Sequence, residues 1–292
     1  MRAIYLPEWG AFIRCHDLPG SDPPRVYLHG VARAAGPAFA HIATRPPLNG
    51  HRSLLVDFLG FGYSDKPADF SYTIEHHAAS VIKLLNGLGV QRCDFVGHSM
   101  GGSVAIVIAA ERPDLVSGLV IAEANLDPGA GPMTGAIIRH SEENYVHHVY
   151  AEDLAAQQKR AREGGSPLLG AVLGMYQVSA PWAIHRSSRS LCGDRKPTFR
   201  ELLLQLAMPR AFLVGSKTLE ADPSSPDSGA GLEEAGIRRI IVPDAGHPMM
   251  YQNPDGFAQA IGRALDSSRS ERMPQFRTTK IPPDSLPPVS TC

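Results

Sequence analysis

The chain has 292 residues, of which 43% are hydrophobic and 20% charged, with a formal net charge of −1. That length suits one α/β core carrying an insertion, and the apolar content is enough to bury it. A charge balance this close to zero excludes the basic surface that nucleic-acid phosphates or an anionic membrane require.

Cys15, Cys93, Cys192 and Cys292 have no paired spacing, which argues against a disulfide framework or a zinc site. Residues 1–10 lack the apolar stretch of a signal peptide, and no apolar run approaches the roughly 18 residues of a membrane span. The default expectation is a cytoplasmic protein without membrane or nucleic-acid partners; oligomeric state is not legible.

Short β-rich apolar runs alternate with helical patterns from about residue 25. Arg25–Leu28 reads as a strand ending at His29-Gly30, and Ser53–Asp57 as the next. Ile74, Ala78, Val81, Ile82, Leu85 and Leu88 recur at helical spacing, with Thr73 as N-cap and Gly87 and Gly89 as stops. Cys93–Val96 is a third strand, Gly101–Glu111 a buried helix stopped by Pro113, and Leu119–Ala122 a fourth strand. Strand and helix alternating at this interval means βαβ units and a parallel sheet, and unbroken apolar strands agree with burial on both faces.

After Asn125 the pattern changes. Residues 127–206 hold helical stretches without a buried strand and read as a helical cap. Strand signals return at Arg210–Val214 and Ile240–Val242, separated by a Pro/Ser/Gly-rich excursion from Asp222 to Gly231. A last helix opens with Asn253 as N-cap and Pro254 at its first position, ending near Asp266. Residues 1–126 and 207–266 form the expected core, and 267–292 read as a disordered tail.

Gly97-His98-Ser99-Met100-Gly101 fits the nucleophile-elbow pattern. By composition alone a chain this long contains Gly-x-Ser-x-Gly roughly one time in ten. Its position sharpens the signal: the serine follows a strand and precedes a buried helix, where a strained turn needs neighbours without bulk. Such a turn lifts the Ser99 hydroxyl out of the sheet and aims the Met100 N–H at an incoming oxyanion. The competing interpretation is an ordinary strand-to-helix turn. Asp57-Phe-Leu-Gly60-Phe-Gly62-Tyr-Ser64-Asp65 reads as a structural turn, because a phosphate loop would need a Lys-Ser/Thr or a GxGxxG that is absent here.

His29-Gly30, Asp57-x-x-Gly60-x-Gly62-x-Ser64, Gly97-His98-Ser99-Met100-Gly101-Gly102 and Asp244-Ala-Gly246-His247-Pro248, in this order, resemble the α/β-hydrolase family over residues 10–266. The resemblance implies an α/β-hydrolase fold, a mostly parallel sheet flanked by helices with a helical cap. It implies Ser99 as nucleophile, His247 as its base, and the Val31 and Met100 N–H groups as oxyanion donors. His98 is expected to face away from the Ser99 hydroxyl, and the His76-His77 and His147-His148 pairs to be helix-surface or cap residues.

The acid behind His247 is open. The family usually supplies Asp after the strand placed at 210–214, but Thr218 stands there. Some members carry the acid after the preceding strand, which is Glu123 here; Asp222, Glu220 and Asp127 are the alternatives. Leu168, Leu169, Val172, Leu173, Met175, Tyr176 and Trp182 either line an apolar acyl pocket, with Met249, Met250 and Tyr251, or form the cap's own core.

The activity implied is hydrolysis of a carboxylic ester or related acyl bond of a small, apolar substrate, without metal or organic cofactor. C–C bond, lactone or amide hydrolysis and perhydrolysis use the same residues. An aspartate nucleophile would point to dehalogenase or epoxide-hydrolase chemistry, but position 99 is serine. A non-catalytic ligand receptor is the alternative from another class.

Overall fold

The computed structural model describes residues 1–129, 131–164, 167–223 and 228–270. In chain order the strands are β1 (Arg2–Leu6), β2 (Ala11–Leu18), β3 (Ser21–Leu28), β4 (His51–Asp57), β5 (Cys93–His98), β6 (Val116–Ala122), β7 (Arg210–Gly215) and β8 (Arg238–Val242). They form one sheet in the order β1-β2-β4-β3-β5-β6-β7-β8. β1 and β2 pair antiparallel, as do β2 and β4; every pair from β4 to β8 is parallel.

The hairpin β1–β2 lies before the first strand legible as an apolar run. Its signal is period-two alternation: Ala11, Ile13 and Cys15 are buried while Phe12 is exposed. Each parallel strand instead feeds both faces. Leu54 and Val56 enter one hydrophobic layer and Leu55 the other; Phe95 and Val96 divide in the same way. Helices Ile74–Gly87 and Met100–Glu111 pack together over the first layer, and Ala35–Ala43 and Pro254–Ser270 over the second.

Local chemistry sets the helix starts. The Thr73 side chain accepts the His76 N–H at 3.2 Å, and Asn253 Oδ1 accepts the Gly256 N–H at 2.8 Å. The last helix runs to Ser270, four residues past its expected end. The remainder of the expected tail, from 271 onward, lies outside the described residues, as do residues 224–227 of the Asp222–Gly231 excursion. Among the described residues no helix is long and apolar enough to cross a membrane.

Between β6 and β7 the described chain is helical, including Pro132–Ile138, Tyr150–Gly164, Pro167–Gln177 and Pro181–Cys192. Helix Pro181–Cys192 is tied to the body around the sheet. Arg186 Nη1 donates to the Ala68 and Phe70 carbonyls, and His77 Nε2 lies 3.0 Å from Ser187 Oγ. His77 is therefore not a helix-surface residue: it is fully buried among the rings of Phe58, Phe61, Phe70 and Tyr72. His147 and His148 are exposed, as expected.

Candidate active site

Strand register places the chemistry. Leu28 pairs with Gly97, Gly97 with Ile121, and Ile121 with Phe212. The carboxyl ends of β3, β5 and β6 thus stop at nearly the same level, and the residues that follow them, His29-Gly30, Ser99 and Glu123, emerge on one rim. In open parallel sheets this rim is where ligands bind.

Ser99 sits between β5 and helix Met100–Glu111 at φ 53°, ψ −126°. A left-handed φ costs a non-glycine residue of the order of 1–3 kcal/mol, and persists only where its surroundings enforce it. They do so here by close packing. A Cβ on Gly97 would lie 2.5 Å from the Gly101 carbonyl oxygen, and one on Gly101 would collide with the Leu28 carbonyl. The Ser99 N–H donates to the Ala122 carbonyl at 2.9 Å, pinning the turn to β6.

Glu123 follows β6 at φ 41° and is completely buried. One carboxylate oxygen accepts the Gly215 N–H at 2.8 Å; the other lies 2.9 Å from His247 Nδ1. A buried carboxylate without such partners would be strongly disfavoured. Because Glu123 can only accept, Nδ1 is the protonated nitrogen, and Nε2 keeps its lone pair. His247 is nearly half exposed, at 45%.

The other carboxylates considered stand elsewhere. Asp127 pairs with Arg200 at 2.8 Å, and Glu220, within the short helix Ser216–Ala221, and Asp222, just after it, are exposed.

Ser99 and His247 line one cavity of about 280 Å³. Among the described residues no hydrogen bond joins the Ser99 hydroxyl to the His247 ring. Val31 also lines the cavity, and the buried Met100 opens the helix after Ser99. Among the described residues neither the Val31 nor the Met100 N–H has a protein acceptor, which is unusual for buried backbone donors.

His29 fixes the loop that carries Val31. Its Nε2 accepts the Phe58 N–H at 3.3 Å, so its proton is on Nδ1, which donates to the Gly30 carbonyl at 2.8 Å. Burial pushes this imidazole's pKa down, keeping it neutral. In a trans peptide the Val31 N–H points opposite the Gly30 carbonyl. Holding that carbonyl therefore aims the N–H. Asp57 braces the same loop, accepting the Ala35 N–H at 2.7 Å and the Tyr63 N–H at 2.9 Å.

Two cavity residues were not expected from the sequence to contribute. His98, expected to face away, lies in the cavity wall; its Nε2 donates to the His247 carbonyl at 2.8 Å, with the two rings 4.6 Å apart. Burial and the neighbouring His247 hold its pKa well below the ordinary range. Arg33 is the other. His98 fills a variable position of the elbow and Arg33 belongs to no motif, so only proximity in the fold reveals their place in the wall.

Of the cap residues singled out as acyl-pocket candidates, Val172, Leu173, Met175, Tyr176 and Trp182 do not line this cavity; Gly131, Pro132, Met133 and Thr134 do. Trp182 borders a separate recess with Ala68, Val146 and Arg186, and Met175 and Tyr176 are buried in hydrophobic layers. The side chains of Leu168 and Leu169 lie outside the described residues. Met250 and Tyr251 do border the cavity, whereas Met249 is fully buried and does not.

A family model described as the alpha/beta hydrolase fold matches residues 23–161. Haloalkane dehalogenase 2 of Mycobacterium tuberculosis is 37% identical over 265 residues, covering 83% of this chain and 87% of that protein. The sn-1-specific diacylglycerol lipase ABHD11 of Mus musculus is 28% identical over 255 residues, covering 82% and 80%. In structure, an esterase from Exiguobacterium antarcticum superposes with a TM-score of 0.70 at 19% identity, covering 90% of this chain and 98% of that one. With its mostly parallel eight-stranded sheet and the carboxyl-end rim of β3, β5 and β6 as its candidate site, this chain belongs to the α/β-hydrolase family of enzymes.

Proposed function

We propose that the chain is a serine hydrolase cleaving a carboxylic ester or related acyl bond through an acyl-enzyme intermediate. The observation that carries this reading is the Glu123–His247 pair beside the strained Ser99, with all three at one rim of the sheet.

Ser99 Oγ attacks the substrate carbonyl while His247 Nε2 takes its proton. Glu123 holds the ring in the tautomer that leaves Nε2 free, and stabilises the imidazolium. The Val31 and Met100 N–H groups receive the oxyanion. Collapse expels the alcohol, which leaves with the proton from Nε2. A water then gives its proton to Nε2 as it attacks the acyl-serine; the acid departs and Ser99 recovers its hydrogen.

Similarity to a haloalkane dehalogenase does not carry that activity to this chain. Displacement of halide by a serine oxygen would leave an alkyl ether, which has no carbonyl for water to attack. An aspartate in that place would instead leave an ester that water can cleave. A pure ligand receptor is disfavoured by the strain retained at Ser99, which binding alone does not require.

A fluorophosphonate probe tests the proposal. The wild-type chain is expected to be labelled, and Ser99→Ala to lose all labelling and at least a thousandfold of 4-nitrophenyl butyrate turnover. Labelling that survives in Ser99→Ala removes the assignment.

A further inference from the structure

Arg33 stands in the wall of the Ser99 cavity. It is largely enclosed, and burial pushes its guanidinium pKa down. Its one described hydrogen bond runs from Nη1 to the adjacent Ala32 carbonyl, at 3.0 Å. Arg14, Arg52, Arg186 and Arg200, by contrast, pair with Asp65, Asp17, Glu142 and Asp127. Among the described residues Arg33 has no carboxylate partner, and no Asp or Glu lines the cavity. The titratable neighbours do not compensate. His98 and His29 are held neutral, in part by the Arg33 charge itself, and burial raises the Tyr251 phenol to about 12, which keeps it protonated.

An enclosed cation without a counter-ion is costly, and arginine cannot escape by losing its proton at neutral pH. An occupant of the cavity that brought the missing negative charge would be bound by a charge-assisted, fork-shaped pair. One guanidinium balances one unit of charge, which favours a carboxylate over a dianionic phosphate. The remaining wall is mainly apolar, with Phe39, Pro132, Met133 and Met250, and about 280 Å³ admits only a small molecule.

We infer that Arg33 is a specificity-determining residue that binds a carboxylate carried by the substrate, so that the chain acts on small acyl compounds with a free acid group. This rests on the serine-hydrolase reading for the reaction, but not for the binding.

Two measurements separate the two. In the first, kcat/KM is compared for 4-nitrophenyl butyrate and the 4-nitrophenyl hemi-esters of succinate, glutarate and adipate. At least one hemi-ester is expected to exceed butyrate tenfold in the wild type. That ratio should fall at least tenfold in Arg33→Gln, chiefly through KM, and partly recover in Arg33→Lys. In the second, succinate, glutarate and adipate are titrated calorimetrically into wild type and Arg33→Gln, with near-ultraviolet dichroism showing that both are folded. One diacid should bind the wild type at least tenfold more tightly. Equal diacid binding by folded wild type and Arg33→Gln, or butyrate preferred over every hemi-ester, overturns the assignment of Arg33. Absence of ester turnover and fluorophosphonate labelling overturns the serine reading instead, and the titration alone then decides Arg33.

Discussion

Glu123 Oε2 lies 2.9 Å from His247 Nδ1, joining a fully buried carboxylate after β6 to a half-exposed ring after β8. The two residues are 124 positions apart in the chain. Their pairing decides which nitrogen of His247 faces the cavity, and it therefore yields the first prediction.

Glu123→Gln is nearly isosteric but can present an N–H to Nδ1, which would favour the tautomer whose proton sits on Nε2. Turnover of 4-nitrophenyl butyrate is expected to fall by roughly 10³–10⁴ with a small change in KM. Steady-state kinetics check this. A loss under tenfold would mean that another carboxylate orients His247.

His29 is expected to act through the backbone. His29→Ala frees the Gly30 carbonyl, and with it the orientation of the Val31 N–H. A donor to a developing oxyanion matters in the transition state, so kcat should fall by roughly 10²-fold while KM changes little. Separate kcat and KM values, with thermal melts as a check on folding, distinguish this from general loosening.

Gly101 and Gly174 make a matched pair. A methyl on Gly101 meets the Leu28 and His29 carbonyls, rigid backbone at the centre of the sheet. Gly174 lies exposed in helix Pro167–Gln177 with nothing within 4 Å of an added Cβ. Gly101→Ala is expected to cost roughly 1–3 kcal/mol or more. Gly174→Ala should gain about 0.5–1 kcal/mol from helix propensity and a less free unfolded chain. Urea denaturation measures both.

Burial, with His29 and His76 nearby, lowers the His77 pKa from 6.5 to about 3. The unfolded chain takes up this proton near 6.5 and the native chain only near 3, so native stability is lost as pH falls between those values. Each pH unit in that window is worth about 1.4 kcal/mol. His77→Gln removes this dependence. The stability difference between wild type and variant should therefore shift by about 2 kcal/mol against the wild type between pH 6.5 and 5. Urea midpoints at the two values supply the comparison; an unchanged difference would mean that His77 takes up its proton over the same pH range in the native as in the unfolded chain.

The sequence by itself determined the parallel core and the elbow. Continuous apolar strands between amphipathic helices admit few arrangements, and Gly97, Gly101 and Gly102 around one serine mark a turn that bulkier residues would block. Those signals are local: they lie within single strands, helices and turns, so periodicity exposes them. The hairpin β1–β2 was legible in principle, since its alternation is equally local. What only the tertiary structure decided is non-local. Glu123, Asp222, Glu220 and Asp127 are all carboxylates in loops, and nothing in their neighbours says which one meets His247. Strand register does, because it levels the ends of β5 and β6 and points Glu123 at the ring after β8. The cavity wall has the same origin. Trp182 is apolar and suited to a pocket by composition, yet it packs away from Ser99, while Arg33 lies within the Ser99 cavity. Burial and charge pairing depend on which segments meet, and a linear pattern carries no record of segments meeting at long range.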